Sequence, residues 1–99
     1  MIVAFSIAGT PDESGSYAES VAEVVRIVRA SGLPHETNSM FTNVEGEWDE
    51  VMAVVKRCVD AMTAHSPRVS LVVKADIRPG HTGMLESKVR RVEDLLDEG

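Results

Sequence analysis

A chain of 99 residues, 43% hydrophobic and 26% charged, has room for one core and is too apolar for the disordered class. Sixteen acidic against ten basic residues leave a net charge of −6. That argues against a nucleic-acid partner, because phosphate binding rests on clustered Lys and Arg. A core this small leaves modest stability, so self-association that buries more surface is expected.

Ile2–Ala8, IVAFSIA, is short, apolar and β-rich, and Gly9, Thr10, Pro11 and Asp12 bound it as the first strand. Beyond Ser14-Gly15-Ser16, apolar residues recur at Tyr17, Val21, Val24, Val25 and Val28, at spacings of three and four. They predict a helix over residues 16–31, started by Ser16 with Glu19 as a capping box. Gly32 at the C′ position and Pro34 stop it. Residues 35–41 and 42–45 read as two further strands. Residues 48–65 repeat apolar side chains at Val51, Val54, Val55, Cys58, Val59 and Met62, a second helix that ends before Pro67. Val69, Leu71, Val73, Ala75 and Ile77 then alternate with Ser70, Val72, Lys74, Asp76 and Arg78. This period of two predicts a strand with one fully apolar face. Pro79, Gly80, His81, Thr82 and Gly83 form a loop, and residues 85–96 a third helix with Val89, Val92 and Leu95 on one side.

The order β-α-β-β-α-β plus a helix predicts an α+β, ferredoxin-like sandwich over residues 1–99, with a four-stranded antiparallel sheet and two helices on one face. The valine-rich helices have weak intrinsic propensity and depend on packing. One short third helix cannot hide the other sheet face, which is expected to meet a second subunit.

The lone Cys58 lies on an apolar helical face, has no disulfide or metal partner in view, and reads as a core thiol in a reducing cytoplasm. The N-terminal segment lacks a basic n-region, and no stretch approaches the roughly 20 apolar residues of a membrane span, so no membrane partner is expected. His35, His65 and His81 show no metal-ligand spacing, and no nucleotide or hydrolase motif is present. Four aromatics, Phe5, Tyr17, Phe41 and Trp48, are too few for an RNA-stacking sheet.

The densest chemistry is TNVEGEWDEV, residues 42–51. Glu47, Asp49 and Glu50 open a helix, where negative charge suits the N-terminal dipole, and Gly46 reads as the strand-to-helix turn. Glu45 ends a strand, on the same face as Asn43, and is either a ligand contact or a structural cap. Asp76 shares a face with Lys74 and Arg78, as a salt-bridge row or as an anchor for a polar ligand group. Ser6 and Thr42 offer hydroxyls to such a pocket. Use of Glu45 and Asp76 as an acid–base pair would need proximity and a shifted pKa.

Together SIAGTP, the first helix, TNVEGEWDEV and RVSLVVKADIR resemble the thiamine-binding protein family of YkoF-like ferredoxin folds. The resemblance rests on Thr42, Val44, Glu45, Gly46, Trp48, Asp49, Glu50 and Val51, with Lys74, Asp76 and Arg78 as the closing Lys-x-Asp-x-Arg. It implies non-catalytic binding of thiamine or its hydroxymethylpyrimidine part, as carrier, scavenger or sensor. It also implies no cofactor, and a homodimer or homotetramer assembled through sheet faces. The implied ligand residues are Ser6, Phe41, Thr42, Asn43, Glu45 and Asp76. Met40-Phe41-Thr42 departs from the family's small-residue run, so Phe41 either walls the ligand or fills its space. The alternative function is an oligomeric regulatory module that senses another small molecule.

Overall fold

The computed structural model describes residues 1–9 and 18–98. The elements are β1 (Ile2–Ala8), α1 (Ala18–Ala30), β2 (His35–Thr37), β3 (Thr42–Glu45), α2 (Trp48–Thr63), β4 (Ser70–Asp76) and α3 (Met84–Glu98). The strands form one antiparallel sheet in the order β2-β3-β1-β4, the ferredoxin-like arrangement. Each β-α-β crossover returns its strand beyond a neighbour, so β1 and β3 are interior and β2 and β4 are edges.

The register divides the sheet's two faces. Val3 stands opposite Val44 and Ala75, and Phe5 opposite Thr42 and Val73. With period two these side chains share the face that the helices cover. Val3, Phe5 and Val44 join Val24 and Val28 of α1 and Val51, Val54, Val55, Cys58 and Met62 of α2 in one buried cluster. The helix valines are thereby held by packing rather than by propensity. On the open face Ile2 stands between Glu45 and Asp76, and Ala4 between Asn43 and Lys74.

Several boundaries differ from the expected ones. The Ser16 capping position and Tyr17 lie outside the described residues. Gly32 has φ of 74°, the left-handed conformation expected at C′. The second strand ends at Thr37 because Asn38 takes over the chain. Its Oδ1 accepts hydrogen bonds from the Met40 and Phe41 N–H groups at 2.9 and 2.8 Å, an Asx turn that closes the β2–β3 hairpin. Helix α2 ends at Thr63, two residues early, where Thr63 Oγ1 donates to the Asp60 carbonyl at 3.1 Å. β4 keeps the predicted alternation, but Leu71 and Val73 are 40 and 39% exposed. The helices lie over β1, and the edge strand stays beyond their cover.

Gly46 does not have a positive φ. A Cβ there would stand 3.2 Å from Val51 Cγ2 and 3.4 Å from Leu33 Cδ2, so the glycine permits close packing rather than an unusual turn.

Candidate functional site

Two concavities flank the sheet. The first is an apolar cleft of about 280 Å³ between the C-terminal half of β1, the β2–β3 turn and α1. Phe5, Ile7, Val24, Val25 and Phe41 supply its apolar wall, and Ser6, Thr37, Asn38 and Thr42 supply hydrogen-bonding groups. Its volume is near the lower end of small-ligand pockets, and its make-up, apolar with a few polar groups, is the usual one. Ser6, Phe41 and Thr42, three of the six expected ligand residues, meet here. Thr42 is buried against Phe5 and Thr37. Phe41 is half-buried and forms part of the wall. Asn38 was missed because residues 35–41 read as continuous strand. The Asn38-Ser39 pair, both turn formers, was the available signal.

The other three residues are on the open face and are already engaged. Asn43 Nδ2 donates to Glu36 Oε1 at 3.1 Å, across the directly paired β2 and β3 positions. Glu45 is 5% exposed. Its Oε2 accepts from the Met84 N–H at 2.8 Å and its Oε1 from the Leu85 N–H at 3.4 Å. These are the first two amides of α3. The preceding residue is Gly83, whose carbonyl takes the Ser87 N–H but which has no side-chain acceptor to offer. Glu45 therefore supplies, from 39 residues upstream, the negative cap that the local sequence lacks. Beside it, across Ile2, Asp76 forms a salt bridge with Lys88 in the second turn of α3. The Lys88 ammonium pulls the Asp76 carboxyl below its usual pKa, so Asp76 stays ionised rather than poised to exchange protons. The two strand-end carboxylates together seat one helix.

Glu50 is likewise structural: its Oε1 accepts from the Glu47 N–H at 3.2 Å at the start of α2. A second, wider concavity of about 700 Å³ lies beside this region, between the β3–α2 junction and the start of α3. Glu36, Glu45, Glu47, Glu50 and Glu86 line it, with no Lys or Arg. Among the described residues no group of three His, Cys, Asp or Glu side chains is arranged to hold a metal ion, and no helix is long and apolar enough to cross a membrane. Cys58 is buried, and burial pushes its thiol up to about 11.

Comparison with known proteins agrees with this architecture. The chain is 51% identical over 98 residues to the UPF0045 protein Mb1933 of Mycobacterium bovis, covering 97% of this chain and 94% of that one. It shares its fold with protein MJ1052 of the archaeon Methanocaldococcus jannaschii, with a TM-score of 0.83 over 93% of this chain and 94% of the other at 24% identity. Protein TM0486 of Thermotoga maritima, provisionally assigned to thiamine biosynthesis or salvage, superposes with a TM-score of 0.74 at 27% identity, over 93% of this chain and 99% of that one. Residues 3–93 match the family described as "Thiamine-binding protein". A match over that span takes in the cleft, both strand-end carboxylates and most of α3, and the chain belongs to the thiamine-binding protein family.

Proposed function

We propose that the protein binds thiamine or its hydroxymethylpyrimidine moiety without transforming it, as a carrier, scavenger or sensor, and that it works as a homo-oligomer. Family membership over residues 3–93 is the observation that carries this reading. The apolar cleft suits it. A flat aminopyrimidine ring stacks against Phe41, with Met40 beside it, while Ser6 and Thr42 offer hydroxyls and Asn38 an amide to the ring's donor and acceptor edge. The permanent charge of the thiazolium is favoured by an acidic molecule whose net charge is −6. Asn43, Glu45 and Asp76 remain candidates for contact with the cationic end, although each already has a protein partner.

Isothermal titration of thiamine and of hydroxymethylpyrimidine into the protein tests this, with Phe41→Ala and Glu45→Gln in parallel. Saturable binding that Phe41→Ala weakens about tenfold, with Glu45→Gln close to wild type, is the expected result, from the worth of one aromatic contact. Weakening by Glu45→Gln alone moves the ligand to the open face. Heat from neither ligand at concentrations well above micromolar overturns the thiamine reading.

A further inference from the structure

The cleft between β1, the β2–β3 turn and α1 has polar groups but no charge. Its lining runs from Ser6 and Ala8 through Ser20 and Val25 to Asn38 and Ser39, and among the described residues there none is Lys, Arg, His, Asp or Glu. The sequence accounts for this. The first Lys or Arg of the chain is Arg26, so β1, the segment after it and the first half of α1 contain no cationic side chain. Residues 10–17, which join β1 to α1, add Asp12 and Glu13. Arg26 itself is exposed and lies with Glu19 and Glu23 at a separate shallow hollow. The N-terminal end of α1 favours negative charge, but Glu19 already stands in its first turn.

A phosphate monoester meets the opposite of what it needs here. With a second pKa of about 6 it is close to a dianion above neutral pH. Proteins hold such groups with Arg, with Lys or with free backbone N–H groups. In the β2–β3 turn the Met40 and Phe41 N–H groups are already given to Asn38 Oδ1. A phosphate brought into the cleft leaves water with no opposite charge in exchange, a cost that a neutral hydroxyl does not carry. The second concavity offers no better seat, since Glu36, Glu45, Glu47, Glu50 and Glu86 line it with His35 and His81 and without Lys or Arg.

We propose that the cleft selects its ligand as the free alcohol and discriminates against the phosphate ester of the same compound. The inference rests on the thiamine or hydroxymethylpyrimidine reading and adds a specificity to it. In hydroxymethylpyrimidine phosphate the phosphorus is one oxygen and one methylene from the ring, so a ring stacked on Phe41 keeps the phosphate at the cleft. In thiamine the hydroxyl ends the two-carbon arm of the thiazolium. A phosphate there meets the acidic surface of a molecule of net charge −6 rather than the cleft itself, and the discrimination is smaller. An ester becomes a ligand only after hydrolysis: water adds to phosphorus, the ester P–O bond breaks, and inorganic phosphate separates from the alcohol, which takes up a proton.

Isothermal titration at about pH 8, where the monoester is a dianion, compares each alcohol with its own ester. Hydroxymethylpyrimidine is set against its phosphate, thiamine against thiamine monophosphate, and the acetate ester of hydroxymethylpyrimidine serves as a neutral group of comparable bulk. The pyrimidine phosphate should bind at least about tenfold more weakly than the alcohol, and thiamine monophosphate about threefold more weakly than thiamine, while the acetate ester stays within about threefold of the alcohol. Ser39→Lys, which sets a cation on the exposed turn at the cleft, should narrow the ratio between alcohol and phosphate, a ratio that a general loss of folding does not move. An ester that binds as tightly as its alcohol overturns the proposal and leaves the ligand reading in place. An acetate ester rejected as strongly as the phosphate does the same, because bulk and not charge then decides. An unchanged ratio in Ser39→Lys puts the discrimination outside the cleft and also overturns it. Binding of neither alcohol removes the ligand reading, and this inference with it.

Discussion

Glu45 shows how one side chain can look like a ligand contact from its position and prove to have a structural partner. A carboxylate at a strand end, followed by glycine and a helix, is a common setting for binding chemistry. Here it caps a different helix, because Gly83 leaves the first amides of α3 without an acceptor of their own. Charge-assisted hydrogen bonds to a buried carboxylate are worth about 1.5–3 kcal/mol. In Glu45→Gln the Met84 and Leu85 amides should exchange with solvent at least tenfold faster, while those of Val54 and Cys58 stay unchanged, as hydrogen exchange read by NMR would show. Cys58 makes a second residue-scale prediction. Its thiol is raised from 9.0 to about 11 by burial, so the folded state holds its proton more tightly than the unfolded one. Folding stability should therefore fall as pH rises from about 9 to about 11, by on the order of 2–3 kcal/mol. Cys58→Ala in urea titrations should lose that part of the slope, at the expense of a smaller core side chain. An identical slope in the variant would show that the thiol titrates freely.

At the scale of elements, the two hydrophobic periods were readable and the cover over them was not. The alternation through β4 assigned Leu71, Val73 and Ala75 to one face correctly, and their pairing with Ile7, Phe5 and Val3 puts that face on the helix side. Nothing in the alternation says that β4 is an edge strand beyond the reach of α1 and α2, because burial depends on strand order and helix placement. The first strand, the two long helices and the Gly32 stop were legible because each has its own local signal. The β2–β3 turn was misjudged because Asn38 can continue a strand or fold back on its neighbours, and only the hairpin partner decides. The candidate site was legible in part for the same reason. Phe41 and Thr42 reach the cleft through the hairpin, whereas the partner of Glu45 is 39 residues away and has no trace in the surrounding motif. Since Asn38 Oδ1 accepts two backbone N–H groups in that turn, Asn38→Ala should cost about 1 kcal/mol of stability. It should also weaken ligand binding, because the turn sets the position of Phe41. Asn38→Asp, which keeps the acceptor, should recover the stability. A Phe41→Ala background in which Asn38→Ala has no further effect on binding would confirm that the turn acts through the ring.

At the scale of the molecule, the chain is a compact sandwich carrying an arm. Every member of the buried cluster comes from β1, α1, β3 or α2, and α3 touches the sheet chiefly at β3. A chain shortened after Gly83 should therefore keep its cooperative unfolding transition and lose only the helical signal of α3 in circular dichroism. The same division makes a sharper test of what Glu45 does. In the full chain its carboxylate is buried under α3 and satisfied by the helix amides, so Glu45→Gln costs on the order of 1–2 kcal/mol. In the shortened chain the carboxylate faces water, and the same substitution should cost close to nothing. The difference between the two costs is the coupling energy between residue 45 and the arm. An equal cost in both chains would mean that Glu45 stabilises the sheet on its own account, and the seat of α3 would then rest on the buried Met84 side chain and the exposed Lys88–Asp76 pair. Exposed pairs of that kind contribute at most about 1 kcal/mol, too little to hold a fifteen-residue arm at one angle. A vanishing cost in the shortened chain fixes Glu45 as the hinge pin of the arm, the group that decides where α3 points.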